Sequence, residues 1–158
     1  MREFRADEAT VARLCARFGL GSQGGRLTPA AEGAMGRIWR MDLDDGRRYA
    51  VKELFWEWEE SAAVRECDFA TLSGVRTPRF FRTIDGTLFD RLPSTLGGAV
   101  VRLFSWVDGR ETLPGDPGRS RWFGDALGRL HTLDLSPQGW SSHPWYDTCS
   151  PPERWKEL

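Results

Sequence analysis

The sequence is poor in the residues that hold metals and cross-links. Its three cysteines, Cys15, Cys67 and Cys149, are odd in number and far apart, with no C-x-x-C pair, and there are two histidines to help them. A disulfide framework and a cysteine/histidine zinc site are therefore disfavoured, and the thiols read as packed side chains. No apolar run approaches the roughly 18 residues needed to cross a bilayer, and the opening MREFRADEATVARLCARF lacks the short apolar core of an export signal. A cytoplasmic location without a membrane partner is expected. A net charge of −1 gives no general attraction to a phosphate backbone, so nucleic acid is not an expected partner. Internal repeats and low-complexity segments are absent too. Lysine is scarce: of 22 basic side chains, two are lysines, Lys52 and Lys156.

What is present suffices for a packed fold. The 158 residues are 40% hydrophobic and 12% aromatic, enough for one domain with a core. Residues 6–18 place Val11, Leu14, Cys15 and Phe18 at helical spacing, with Asp7 as a cap and Gly19 and Gly21 as a stop. Two β-type runs follow, RLTPAAEGAMGRIWRMDL and RRYAVKEL, joined at Asp45-Gly46, a pair that suits a tight hairpin. Residues 57–73 favour a helix ended by Gly74. RTPRFFRTI and TLFDRL around Asp85-Gly86 predict a second hairpin, and AVVRLFSWV predicts a buried strand. Residues 119–133 form a last helix with Phe123, Ala126, Leu127 and Leu130 on one face; His131 reads as a helix-end histidine. The tail is a Pro- and Ser-rich loop leading into a helical turn.

The chemistry gathers around Lys52. In an extended strand Ala50, Lys52 and Leu54 share a face, and a cation on a half-buried face needs a carboxylate. Glu66 is the candidate, because its helical neighbours Ala62, Ala63, Phe69 and Ala70 are apolar while Glu57, Glu59 and Glu60 crowd the exposed helix start. Upstream, Gly33 and Gly36 in EGAMGRI make a turn whose backbone N–H groups could approach a phosphate, and Ile38 just beyond could cover a flat ring.

A glycine turn, a strand with Ala-x-Lys, a helix with an inward Glu and further strands running into a polar crossover resemble the small lobe of protein-kinase-like enzymes. With only the second half of the G-x-G-x-x-G-x-V pattern, the chain is more similar to the aminoglycoside phosphotransferase family, through EGAMGRIWRMDLDDGRRYAVKEL, RECDFATLSGVRTPRFFRTIDG, VVRLFSWVDGRETL and WFGDALGRLHTLDL. The resemblance implies an α+β fold: a small lobe with a five-stranded antiparallel sheet and a helix, then a linker and the first helix of a large lobe. The segments would be an N-terminal helix and loop (1–24), the nucleotide-binding lobe (25–108) and the start of the large lobe (109–158). It implies ATP as cofactor, with Lys52 on its phosphates, Glu66 paired to Lys52, and Gly33 and Gly36 over the phosphates. Ile38 and Ala50 would cover the adenine, and the Ser105 C=O and Val107 N–H would bond its edge. An ammonium acts there as a point charge that a planar guanidinium would not replace, which accounts for lysine at position 52.

The resemblance also implies parts that these residues lack. The family's H-G-D-x-x-x-x-N loop, which positions the acceptor hydroxyl and helps hold magnesium, has no counterpart, and the chain contains no asparagine. The expectation is the front part of a longer phosphotransferase, inactive by itself, with Mg2+ and a small hydroxylated acceptor bound through the large lobe. The alternative is a non-catalytic nucleotide- or partner-binding module. Without a covering lobe, Trp122, Phe123, Leu127 and Leu130 would form an apolar patch prone to self-association.

Overall fold

The computed structural model describes residues 4–22, 24–56, 59–109 and 112–133. The expected C-terminal loop and helical turn, with Cys149 and Lys156, lie outside the described residues, as does Glu57.

The first helix, α1 (Glu8–Arg17), starts where Asp7 can cap it: the carboxylate accepts the Thr10 N–H at 2.9 Å. Glu8 in its first turn and Arg17 in its last complement the helix dipole. Strands β1 (Gly25–Gly33), β2 (Gly36–Leu43) and β3 (Arg48–Leu54) form an antiparallel meander. The β2–β3 turn closes at Asp45-Gly46 as expected, with the Gly46 N–H donating to the Leu43 carbonyl at 2.9 Å and Gly46 at φ 86°. Helix α2 (Glu60–Ser73) ends at Gly74, whose left-handed φ of 61° suits a residue without Cβ.

Strands β4 (Phe80–Phe81) and β5 (Asp90–Arg91) precede β6 (Val100–Ser105), and α3 (Arg119–His131) follows it. The sheet is five strands across in the order β1-β2-β3-β6-β4, and β5 pairs β6 as a sixth, short strand. The hairpin expected around Asp85-Gly86 is replaced by a different pairing. Phe80 and Phe81 lie opposite Phe104 and Leu103, while Asp90 and Arg91 lie opposite Val101 and Val100. Both pieces thus run antiparallel to β6 on its edge away from β3, as one edge strand interrupted by residues 82–89. The turn signal was sound, since Thr83 N–H donates to the Thr87 carbonyl at 2.8 Å, but it closes a loop thrown out of that edge.

One face of the sheet carries the core. Val11 and Leu14 of α1 meet Met41, Val51, Val101 and Leu103, all at or near complete burial, and Phe4 stacks on Trp39 at 4.9 Å between ring centroids. Polar contacts fix α1 on this face. The buried Asp90 carboxylate receives Arg13 at 3.1 and 3.2 Å and Arg17 at 2.9 Å, and Arg17 also reaches Asp85 at 2.6 Å. The N-terminal helix therefore shares one core with the sheet. By contrast α2 buries Ala63 and Ser73, and α3 buries no residue. No helix among the described residues is long and apolar enough to cross a membrane.

Candidate functional site

Strand alternation sets Tyr49, Val51 and Glu53 toward the core and Ala50, Lys52 and Leu54 toward the opposite face, where α2 lies. The register then aligns rows across that face. Ile38 pairs with Lys52 and Lys52 with Arg102; Arg40 pairs with Ala50 and Ala50 with Phe104. Ile38, Ala50 and Lys52, singled out from the sequence, are thus neighbours on one surface, each half-buried.

Above them Gly33 and Gly36 pair to close the β1–β2 hairpin around Ala34-Met35. The two glycines are not equivalent. A Cβ on Gly36 would lie 2.2 Å from the Glu53 carbonyl oxygen, so the close approach of β2 to β3 requires glycine there, whereas one on Gly33 would meet nothing within 4 Å. The turn is steadied from below, with the Phe55 N–H donating to the Met35 carbonyl at 3.5 Å and the Trp56 indole N–H to the Ala34 carbonyl at 3.4 Å.

The expected Lys52–Glu66 pair is not formed. Glu66 does point at the correct face, but its Oε2 accepts from Arg102 Nη1 at 2.6 Å. Among the described residues no carboxylate lies within 4.0 Å of the Lys52 ammonium. Desolvation explains the choice. Arg102 is 3% exposed, and its guanidinium lies 5.3, 5.3 and 5.1 Å from the ring centroids of Phe80, Phe89 and Phe104. A cation so enclosed needs a carboxylate far more than a half-exposed lysine that keeps its water. One nitrogen of that guanidinium, Nη2, is buried without a hydrogen-bond partner among the described residues. Sequence reasoning missed Arg102, although an arginine inside the apolar run VVRLFS was a signal.

The linker is anchored to the same sheet. Ser105 pairs with Tyr49, its N–H donates to the Arg79 carbonyl at 2.9 Å, and its Oγ accepts the Arg79 N–H at 2.9 Å. Val107 is exposed beside it. Asp108 is gripped by both Arg48 nitrogens at 2.8 and 2.5 Å and by the Trp106 indole N–H at 3.1 Å. These bonds, Arg48's above all, hold the Asp108 carboxyl below the usual carboxylate range. Arg40 lies over the Trp106 ring at 5.8 Å. A hollow of about 460 Å3 near the end of α2, bordered by Cys67, Arg76, Arg79 and Arg82, holds none of the sequence-predicted site residues. Among the described residues no three His, Cys, Asp or Glu side chains are grouped to hold a metal ion.

Neither a family model nor a curated protein sequence matches the chain. A solved structure does: the crystal structure of spectinomycin phosphotransferase APH(9)-Ia in complex with ADP and spectinomycin, with a TM-score of 0.58 at 12% sequence identity. The fold is that of a kinase-like small lobe. The match covers 81% of this chain and 38% of the phosphotransferase, so the chain spans well under half of the enzyme it resembles. The α+β architecture, an antiparallel sheet with helices, agrees with the expectation from sequence, and the correspondence at this identity is one of fold.

Proposed function

We propose that the chain is the nucleotide-binding lobe of an ATP-dependent phosphotransferase whose acceptor is a small hydroxylated molecule. One observation carries the reading: a lysine without a carboxylate partner among the described residues stands beneath a glycine turn, on a sheet face where Ile38 and Ala50 offer apolar cover for a ring. An ammonium in that setting attracts phosphate, and Lys52 is assigned to the α- and β-phosphates of ATP. The N–H groups of the Gly33–Gly36 turn would approach the same phosphates. The Ser105 carbonyl and Val107 N–H would meet the adenine edge, and Glu66 would act through Arg102. The nucleotide and the acceptor in the spectinomycin enzyme support the choice of ligands, and ATP as donor fits a cytoplasmic setting.

The described residues do not fit a magnesium site, so Mg2+ and the acceptor would require residues supplied elsewhere. The chain by itself is expected not to turn over ATP. Calorimetry with ADP tests the assignment: weak binding that Lys52→Ala reduces at least about tenfold, with adenosine binding unaffected, is the expected result, and an unchanged ADP affinity would refute it. The alternative reading is a non-catalytic nucleotide- or partner-binding module that retains the lobe. Magnesium-dependent ATP turnover by the purified chain, abolished by Lys52→Ala, would contradict both readings, since each expects this chain to be inactive by itself.

A further inference from the structure

The end of α2 and the segment leading into β4 enclose the hollow of about 460 Å3, and its lining is sorted by polarity. Cys67, Ala70, Phe80 and Leu88 are the more buried part, while Thr71, Arg76, Thr77, Arg79 and Arg82 are exposed around them. A fourth guanidinium arrives from α3: Arg129 Nη1 lies 3.9 Å from where a Cβ on Gly74, another lining residue, would stand. No carboxylate lines the hollow, and none of these four arginines is paired with one among the described residues. Burial raises the pKa of the Cys67 thiol, and the charges of Arg102 and Arg82 oppose that rise; of the carboxylates felt there, Glu66 and Asp68, the first is already on Arg102. Nor do the last carbonyls of α2 supply the missing anion. Those of Cys67, Ala70 and Thr71 already accept from Thr71 Oγ1, Ser73 Oγ and the Gly74 N–H at 2.8, 2.9 and 3.3 Å.

We propose that this hollow docks an acidic protein segment, whose carboxylates meet the arginine rim while an apolar side chain enters toward Phe80 and Leu88. The anchorage of the guanidiniums chooses this partner over a compact anion. Arg79 lies over the Phe81 ring at 5.0 Å, Arg82 Nη1 donates to the Gly86 carbonyl at 2.9 Å, and Arg129 stands at Gly74, so the charges are held at separate places. A single phosphate is gripped by donors that converge on it, whereas carboxylates spaced along a chain suit donors that are spread. The apolar inner part gives an inorganic anion nothing to contact, but it can bury a leucine-sized side chain. The surface is separate from the sheet face that carries Lys52, and the inference does not depend on nucleotide binding there.

The test titrates the whole chain with a short synthetic peptide of glutamates around one leucine and follows backbone amide shifts. Saturable movement is expected at Gly74, Val75 and Thr77, and sodium chloride at matched ionic strength should not reproduce it. Arg76 and Arg129 make no recorded bond that holds the fold, so their removal is a clean probe: Arg76→Ser with Arg129→Ser is expected to weaken the peptide about tenfold, and Arg26→Ser, an exposed arginine on β1, to leave it within about twofold. Replacing the peptide's leucine by serine should weaken it about threefold or more. Lys52→Ala should leave peptide binding unchanged, which keeps this surface distinct from the nucleotide site. The proposal is overturned if the parent shows no saturable shifts at these amides, if salt alone reproduces them, or if Arg26→Ser costs as much as the double variant. Pyrophosphate or oligothymidylate moving the same amides at lower concentration than the peptide would also overturn it, by assigning the hollow to phosphate.

Discussion

The two faces of the sheet differ in how their charges and apolar groups are used. On the α1 face Leu14, Met41, Val51 and Leu103 are sealed, and the carboxylate of Asp90 is clamped by two arginines. On the α2 face the helix buries an alanine and a serine, Phe69 and Leu72 are exposed, and Lys52 has no partner among the described residues. One face carries the core cluster. The other combines a desolvated arginine and a half-exposed lysine with apolar surface still open, as ligand-binding surfaces do.

Stability measurements can break this contrast. Met41→Ala or Leu14→Ala empties a closed site and is expected to cost about 2–5 kcal/mol in urea denaturation, while Leu72→Ala on α2 should stay within about 0.5 kcal/mol. Comparable losses at Leu14 and Leu72 would mean that the α2 face is as closed as the other. Asp90→Asn comes next. It leaves Arg13 and Arg17 without their shared anion, though both retain some solvent, and about 2 kcal/mol is expected from the same experiment.

The helix after the linker sharpens the contrast further. Trp122, Phe123 and Leu127 of α3 are exposed, with Trp122 and Phe123 in edge-to-face contact at 5.5 Å. Sedimentation is expected to reveal concentration-dependent self-association that Trp122→Ser with Phe123→Ser weakens. A parent that stays monomeric at millimolar concentration would remove α3 from the open surface.

The smallest effect belongs to the exposed linker pair. Arg48 lowers the folded-state pKa of Asp108, so the pair's contribution to stability is complete above the unfolded carboxylate value, about 3.9, and is lost as pH falls through the lower folded value. Asp108→Asn should accordingly lower stability slightly at neutral pH and flatten the acid limb below about pH 4, so that the two stability curves converge as the carboxyl protonates. An acid limb identical to the parent's would show that Asp108 is not held by Arg48 in solution.

Much of the fold could be read from local signals. Asp7 caps its helix, Gly74 stops the next one, Asp45-Gly46 turns the chain, and alternation in RRYAVKEL assigned Lys52 to its face correctly. The failures involve long-range pairing. Asp85-Gly86 makes a turn as expected, yet the segments on either side of it pair with β6, because an edge with free backbone groups competes with a two-strand hairpin. Glu66 was correctly placed facing the sheet, but its partner depends on the β3–β6 register, which sets Arg102 opposite Lys52 across 49 intervening residues. Helical spacing can say that a carboxylate faces inward. It cannot say which of two cations is the drier.

Amide-shift mapping during an ADP titration tests the division of labour between the faces most directly. The expected result is movement at Ile38, Ala50, Lys52 and Val107, with Val11 and Leu14 of α1 unchanged and all movement lost in Lys52→Ala. Shifts centred on α1, or a response that survives the loss of the Lys52 ammonium, would contradict it.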